Sequence, residues 1–172
     1  ELILFIGSGL SSYAGIISAQ DLTKKISQQL DITKDISLEK VSEYFITAHS
    51  HDELCDLMSK EIAKVQKPNL ELHKKLIDLG VTISITTNWD NLLEIVSKEK
   101  GFDPQIMVSS AEIIKYNEQK PAIFKIHGDF NHKDLIVTAE SQYDNYSNTH
   151  DFMLTRLKSL LQNKLKGKEK EE

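Results

Sequence analysis

Residues Leu2-Ile3-Leu4-Phe5-Ile6-Gly7-Ser8-Gly9-Leu10-Ser11 predict the first unit of an α/β fold. Five successive apolar residues, several β-branched or aromatic, predict a strand buried on both faces. The strand ends at two glycines, which let the main chain turn tightly and bring its N–H groups close to a ligand. A polar segment that can form a helix begins near Ser18. Strand, turn and helix together suit a phosphate group, although a tight turn without a ligand explains the pattern about as well.

The glycine pattern differs from the usual dinucleotide fingerprint. The motif G-x-G-x-x-G requires glycine at position 12, where this chain has Ser12. A dinucleotide that binds at this turn must therefore be held by a different arrangement.

Composition limits the class of protein. The chain has 172 residues, enough for one domain with a sizeable core, and a formal net charge of -5. The negative charge argues against binding to nucleic acid or to an anionic membrane surface. No apolar run approaches the ~20 residues of a membrane helix. The single cysteine, Cys55, excludes an internal disulfide and a multi-cysteine zinc site; we expect a buried core thiol in a cytoplasmic protein.

The remaining chain alternates helical and strand patterns. Helical periodicity dominates residues 20–79 and predicts a helical insertion, within which Ser50 and Glu53 form a capping box. Strands are predicted at 81–86, 105–108 and 122–126, with a weaker candidate at 135–137. This order predicts a Rossmann-like parallel sheet with helices on both faces.

The last helix should begin near Asn148. Its expected buried residues are Phe152, Leu157, Leu160 or Leu161, and Leu165. The charged segment 164–172 lacks a regular apolar pattern, so we expect a frayed or disordered tail after a domain that spans 1–163.

Polar sequences follow three of the predicted strands, namely Gly7-Ser8-Gly9, Thr87-Asn88-Trp89-Asp90 and His127-Gly128-Asp129. Ligands of parallel α/β sheets bind outside the carboxyl ends of the strands. We therefore expect these three segments to meet in one crevice and form the functional site.

Each segment also permits a structural interpretation. Asn88 or Asp90 could cap the following helix, and His127 could be a turn histidine bonded to a carbonyl. Asp129 is expected to form a turn, and Trp89 to pack in the core rather than beside a ligand. The other histidines have no partner pattern and are expected at the surface: His49, His51, His73, His132 and His150. No spacing supports a metal site, and the serine-nucleophile frame G-x-S-x-G is absent.

The three segments, in this order, resemble the motifs of the sirtuin (SIR2) family. Gly7-Ser8-Gly9-Leu10-Ser11 with Ala14-Gly15-Ile16 is similar to Gly-Ala-Gly-x-Ser-x-x-Ser-Gly-Ile. Thr87-Asn88-Trp89-Asp90 is similar to Thr-x-Asn-x-Asp, and Lys125-Ile126-His127-Gly128-Asp129 to the His-Gly segment. Residues 137–143 resemble the segment that follows the histidine. The resemblance spans roughly residues 3 to 146, and the ordered triple is specific.

Two departures from the sirtuin pattern indicate which members of the family the chain resembles. Sirtuin protein deacylases carry a four-cysteine zinc ribbon after the histidine, and this chain has no cysteine there. Gly15-Ile16 also continues as Ile17-Ser18-Ala19 instead of Pro-Asp-Phe-Arg. The chain is closer to the SIR2-like domains of bacterial anti-phage systems, which hydrolyse NAD. Those domains end in a further strand and an adenosine-binding motif, so we expect this chain to be truncated at its C-terminal end or completed by another piece of chain.

The resemblance implies an NAD+ hydrolase that cleaves the nicotinamide–ribose bond, with NAD as substrate and no metal. It implies that Asn88, Asp90 and His127 are catalytic, with an ordinary histidine pKa of about 6.5 available for proton transfer. The implied NAD-binding residues are Gly7, Ser8, Gly9, Ser11, Thr87, Asn88, Asp90 and Gly128. It further implies a homo-oligomer or a fused or associated defence domain. A protein deacylase and a non-catalytic NAD or ADP-ribose-binding module remain the alternatives.

Overall fold

A computed structural model describes residues 2–168 and contains one four-stranded sheet. The strands are β1 (Ile3–Ile6), β2 (Ile83–Thr86), β3 (Gln105–Met107) and β4 (Ala122–Lys125), all parallel, in the order β1-β2-β4-β3. Ile6 pairs with Thr86, and Thr86 with Lys125, so three strands end at the same level. The predicted parallel α/β architecture is confirmed, and the register brings the three polar segments to one edge.

Ten α-helices lie within the described residues: α1 (Ser8–Tyr13), α2 (Ala19–Gln29), α3 (Leu38–Ala48), α4 (His51–Ala63), α5 (Glu71–Asp78), α6 (Leu92–Glu99), α7 (Ser110–Ile114), α8 (Glu140–Asp144), α9 (Tyr146–Thr149) and α10 (Asp151–Lys168). One sheet face packs against α7 and α10 through a cluster that includes Phe124, Ile113 and Leu157. The other face carries a cluster of Ile6, Ile123 and Leu93 of α6. Burial on both faces follows from the apolar composition of the central strands.

The helical insertion has its own core. Helices α2, α3 and α4 bury Leu22, Val41 and Leu54 in a cluster apart from the sheet. Ser50 caps α4 as predicted, since the N–H of Glu53 donates to Ser50 Oγ over 3.2 Å. The reciprocal bond of a full capping box differs, because Glu53 Oε1 accepts from Ser50 Oγ over 3.0 Å instead of from the Ser50 N–H. Cys55 is fully buried in this cluster, as predicted. Helix α5, by contrast, packs on α6 and α1 and belongs to the layer that covers the sheet.

Strand β1 departs from its prediction. The expectation of burial on both faces is wrong, because Phe5 is 69% exposed and Leu2 is 41% exposed. The reason is the position of β1 at the edge of the sheet, where only β2 pairs with it among the described residues. A run of apolar residues cannot distinguish an edge strand from a central one.

The weak strand candidate at 135–137 is also wrong. A 3₁₀ turn spans Lys133–Leu135, and the residues after it pass beside the third polar segment without joining the sheet. The N–H of Val137 donates to the carbonyl oxygen of His127 over 3.2 Å, and Ile136 and Val137 are 1% and 2% exposed. Their apolar character therefore reflects burial without strand pairing.

Helix α10 begins at Asp151 and continues to Lys168, five residues into the expected tail. Leu157 and Leu160 are buried as predicted, but Phe152 is 45% exposed and Met153 takes its place in the core. The side chain of Leu165 and residues 169–172 lie outside the described part of the structure. Between residues 2 and 168, no helix is both long and apolar enough to cross a membrane.

Candidate active site

A cavity of about 200 Å³ opens at the carboxyl ends of β1, β2 and β4. Each of the three polar segments contributes to its wall: Ser8 and Ser11 from α1, Thr87, Asn88 and Asp90 from the turn after β2, and His127 after β4. The cavity is smaller than the ~300–1,000 Å³ typical of sites that enclose a drug-sized ligand. It can therefore admit one end of a dinucleotide, while Gly7 and Gly9 are exposed outside its wall.

Asn88 is held in a defined orientation and keeps one acceptor available. Its side-chain Nδ2 donates to the carbonyl oxygen of Gly7 over 3.0 Å and to Ser11 Oγ over 2.8 Å. Its own N–H donates to Thr86 Oγ1 over 3.0 Å, which closes the turn after β2. Asn88 is 8% exposed, and its Oδ1 accepts no hydrogen bond from any described residue. A buried amide oxygen without a donor costs free energy, and a ligand hydroxyl or water in the cavity could supply that donor.

Asp90 belongs to the same hydrogen-bond network as Asn88 and Ser11. Ser11 Oγ donates to Asp90 Oδ2 over 2.5 Å, and the N–H of Leu92 donates to Oδ1 over 3.1 Å. Asp90 thus accepts a first-turn N–H of α6, although the N-cap residue is Asn91 and neither Asn88 nor Asp90 as predicted. The carboxylate also lines the cavity. Because Ser11 gives its proton to Asp90 and accepts from Asn88, its hydroxyl has no proton left for a phosphate. The geometry suits Ser11 to positioning Asn88.

Lys125 is a further residue of the site, for which no motif predicted a role. Its side chain is 1% exposed, and its ammonium pairs with Glu94 Oε1 at 2.8 Å and donates to the carbonyl oxygen of Asp90 at 2.6 Å. A lysine in the otherwise apolar segment Ala122–Ile126 indicates nearby polar partners, since a buried lysine is rarely found without them. This contact joins the end of β4 to the turn after β2.

His127 faces aromatic neighbours. Its ring lies edge-to-face with Tyr143 at 5.4 Å and with Tyr146 at 5.9 Å between centroids. Tyr146 donates its hydroxyl to the carbonyl oxygen of Ile126 over 2.6 Å, which fixes the ring beside the histidine. Burial, together with the nearby His150, lowers the pKa of His127 to about 4. The expected ordinary pKa of 6.5 is therefore corrected, and His127 is neutral near pH 7.

Gly128 and Asp129 stabilise the turn that follows His127. Gly128 has a φ of 77°, and a Cβ there would lie 2.5 Å from the carbonyl oxygen of Leu135. Only glycine meets both conditions without strain. Asp129 Oδ1 accepts from the N–H groups of Asn131 and His132, so its predicted turn-forming role is confirmed. Gly128 does not line the cavity. The NAD contact expected for Gly128 would therefore be made by its main chain, outside the cavity wall.

The backbone conformation does not require glycine at Gly7 or Gly9. Gly7 is extended with a φ of -115°, and Gly9 lies within α1. A Cβ on Gly9 would meet nothing within 4 Å, and one on Gly7 would meet only Thr87 Oγ1 at 4.0 Å. The expected tight turn is thus replaced by a direct entry from β1 into α1, whose glycine cap provides no side chain for the first-turn N–H groups. The space above this main chain remains open.

Two of the other histidines are not at the surface as expected. His73 is 1% exposed and His150 is 7% exposed. His150 stacks on Tyr146 at 4.3 Å and lies behind His127, whereas the Nδ1 of His73 has no partner among the described residues. Burial lowers the pKa of both. Periodicity alone could not place them, because burial depends on neighbours that folding brings together.

The described residues contain no group of three or more histidine, cysteine, aspartate or glutamate side chains that could hold a metal ion.

Comparison with known proteins identifies the domain. The family model of the SIR2-like domain matches residues 82–166, which include the turn after β2 and the His127 segment. The chain contains a SIR2-like domain. The resemblance inferred from the three motifs is thus confirmed on the part of the chain that holds Asn88, Asp90 and His127.

Curated relatives extend the similarity of this SIR2-like chain to most of its length. It is 26% identical over 158 residues to "NAD(+) hydrolase ThsA" of Cytobacillus dafuensis, covering 90% of this chain and 32% of the relative. The protein of the same name from Acinetobacter baumannii (strain 532279) is 26% identical over 147 residues, covering 83% and 30%. "Defense-associated sirtuin 2" of Bacillus subtilis is 24% identical over 169 residues, covering 94% and 17%. The chain spans about a third or less of these relatives.

Proposed function

We propose that this SIR2-like domain hydrolyses NAD+ at the bond between nicotinamide and ribose. The observation that carries the proposal is the buried, unpartnered Oδ1 of Asn88 in a cavity that it shares with His127. Support also comes from relatives named NAD(+) hydrolase, which match 83–90% of the chain. The chain covers only about a third of each of these relatives, so the activity of the whole protein is part of this proposal.

The reaction suits these residues. Nicotinamide is a cation while attached to ribose, and it leaves as a neutral ring when the C1′–N bond breaks and its electron pair returns to the ring nitrogen. No general acid is therefore required. The ribose acquires positive charge at C1′, and water forms the new bond, releasing ADP-ribose and one proton. Preorganised polar groups that face the developing charge supply the main stabilisation.

We assign Asn88 Oδ1 to accept a hydrogen bond from the attacking water or from a ribose hydroxyl. The Asp90 carboxylate, on the cavity wall, would favour positive charge on the sugar while it keeps Ser11 and Asn88 in place. His127 would accept a hydrogen bond as a neutral imidazole, because burial keeps its pKa low. The released proton then passes to solvent, since an imidazole of such low basicity does not retain it.

The diphosphate is assigned to the exposed main chain at Gly7-Ser8-Gly9, with Thr87 beside it. This assignment is supported by the open space above Gly9 and by the lack of a side-chain cap on α1. Gly128 would contribute by shaping the His127 turn. The adenosine half would extend beyond the 200 Å³ cavity.

The biological role that we propose is depletion of NAD during defence against phage. One relative is named a defense-associated sirtuin, which supports this role. We further propose a cytoplasmic protein that acts as an oligomer or together with other domains of a longer chain, in line with the greater length of the relatives.

The test measures nicotinamide release from NAD+ by the full-length protein. Asn88→Ala and His127→Ala should each lower kcat by about 100-fold or more, since each removes a group that faces the reacting atoms. His49→Ala, which alters an exposed histidine outside the cavity, should retain full turnover. Wild-type protein that binds NAD+ without releasing nicotinamide would favour a binding module, and release that requires an acyl-lysine peptide would favour a deacylase.

A further inference from the structure

Tyr143 lines the cavity, but the proposed reaction assigns it no role. It lies on α8, its ring packs edge-to-face on His127 at 5.4 Å, and it lines the same cavity as Asn88. The side chain is 39% exposed, so its ring is accessible to a ligand in the cavity. It is a large aromatic surface beside the site of bond cleavage.

The helix that carries the ring is held in place by hydrogen bonds of the two residues before Tyr143. The N–H and hydroxyl of Ser141 donate to Glu43 Oε2 of α3, over 3.0 and 2.7 Å. Gln142 Oε1 accepts from the N–H groups of Thr138 and Ala139, over 2.8 and 2.9 Å. Because α8 is tied to the helical insertion and to its own N-terminus, Tyr143 is positioned before any ligand arrives.

The charge of the cavity wall favours a cation. Two carboxylates, Asp90 and Glu39, line it, and no lysine or arginine does so among the described residues. The buried ammonium of Lys125 lies behind the turn and is neutralised by Glu94 at 2.8 Å. His127 brings no charge near pH 7, since burial keeps its pKa low. A positively charged ring would thus meet aromatic and acidic groups and no opposing cation.

We propose that the ring of Tyr143 recognises the cationic nicotinamide of NAD+ and so determines the preference for oxidised over reduced dinucleotide. This inference rests on the proposed function, because it concerns the same cavity. An aromatic face attracts a cation through its quadrupole, whereas the dihydronicotinamide of NADH is neutral and gains no such attraction. The two dinucleotides share every group outside the nicotinamide ring. A change in their affinity ratio when Tyr143 is replaced therefore separates this contact from the attraction of Asp90 and Glu39.

The experiment compares Tyr143→Leu and Tyr143→Phe with wild type in the full-length protein. The readouts are KM for NAD+ and the inhibition constant of NADH, which lacks the cationic ring. Leucine should raise KM by roughly tenfold, change the NADH constant little and leave kcat unchanged or higher, because the attraction is present before the bond breaks and weakens as the ring loses its charge. Phenylalanine keeps the ring and should match wild type. Tyr44→Leu alters an exposed tyrosine away from the cavity and serves as the control.

An equal change for NAD+ and NADH in Tyr143→Leu, or no change for either, would overturn the inference, because the ring would then provide only apolar contact or none. If wild-type protein releases no nicotinamide, the proposed function fails separately. Calorimetric titration of the same variants with NAD+ and NADH then tests the inference alone, and an unchanged ratio of the two dissociation constants again overturns it.

Discussion

The ammonium of Lys125 donates a hydrogen bond to the carbonyl oxygen of Asp90 over 2.6 Å, in a site where the lysine side chain is 1% exposed. The same ammonium pairs with Glu94 at 2.8 Å. Through this contact the end of β4, which continues into His127, holds the turn that carries Asn88. The relative position of the two proposed catalytic groups thus depends on a buried cation.

Replacing Lys125 by methionine should destabilise the domain by about 3 kcal/mol or more, because Glu94 and the carbonyl of Asp90 lose their partner in a buried site. Urea denaturation measures the change in the free energy of unfolding. Adding Glu94→Leu to Lys125→Met should restore about 1 kcal/mol or more, since the unpaired carboxylate is removed.

A matched control is available at the surface. Lys133 pairs with Asp56 at 2.6 Å, but both side chains are well exposed, so Lys133→Met should change the free energy of unfolding far less than Lys125→Met does. Equal effects at Lys125 and Lys133 would contradict the structural role assigned to the buried pair.

Gly9→Ala should leave the fold intact and weaken NAD+ binding. Alanine fits because a Cβ at this position meets nothing within 4 Å, and it favours the helical conformation by up to about 1 kcal/mol. The thermal midpoint should therefore be unchanged or higher, while KM for NAD+ rises because the added methyl group occupies the space assigned to the diphosphate. An unaltered KM would remove Gly9 from the binding site.

Gly128→Ala should act on folding. The added Cβ would lie 2.5 Å from the carbonyl oxygen of Leu135, and the φ of 77° is unfavourable for any other residue type. We expect a loss of roughly 2 kcal/mol or more in the free energy of unfolding, measured by denaturant titration. Gly101, which also has a positive φ but open space around it, is the comparison; Gly101→Ala should cost less. Equal losses would show that the contact with Leu135 is unimportant.

Acid should destabilise the domain through His127. Its folded-state pKa is about 4, below the ordinary 6.5, so between these values the unfolded chain binds a proton that the folded chain does not. The free energy of unfolding therefore falls as the pH decreases from about 6.5 towards 4, by an amount on the order of 2–3 kcal/mol. Buried His73 and His150 act in the same direction.

The check is the pH dependence of the denaturation midpoint. His127→Gln should show a shallower decline than wild type between pH 6.5 and 4, whereas the exposed His49→Gln should follow wild type. Parallel curves for wild type and His127→Gln would mean that this imidazole is not the buried, neutral group described above.

Local sequence patterns determined the parallel α/β class and the three strand-end segments. Alternation and apolar runs report the environment of consecutive residues, which is why β2 and β4 were placed within a residue or two. The same patterns could not tell that β1 lies at an edge, since the exposure of Phe5 depends on which distant segments pack on that part of the sheet.

The sequence by itself also named Asn88, Asp90 and His127 as candidates, because their order and residue types carry the SIR2-like motifs. Only the tertiary structure decided their states. Ser11 Oγ donates a hydrogen bond to Asp90 Oδ2, 79 residues away in sequence, and Tyr146 packs against the ring of His127, whose burial lowers its pKa. Hydrogen-bond partners, burial and pKa depend on neighbours brought together by folding, and no local pattern along the chain records those neighbours.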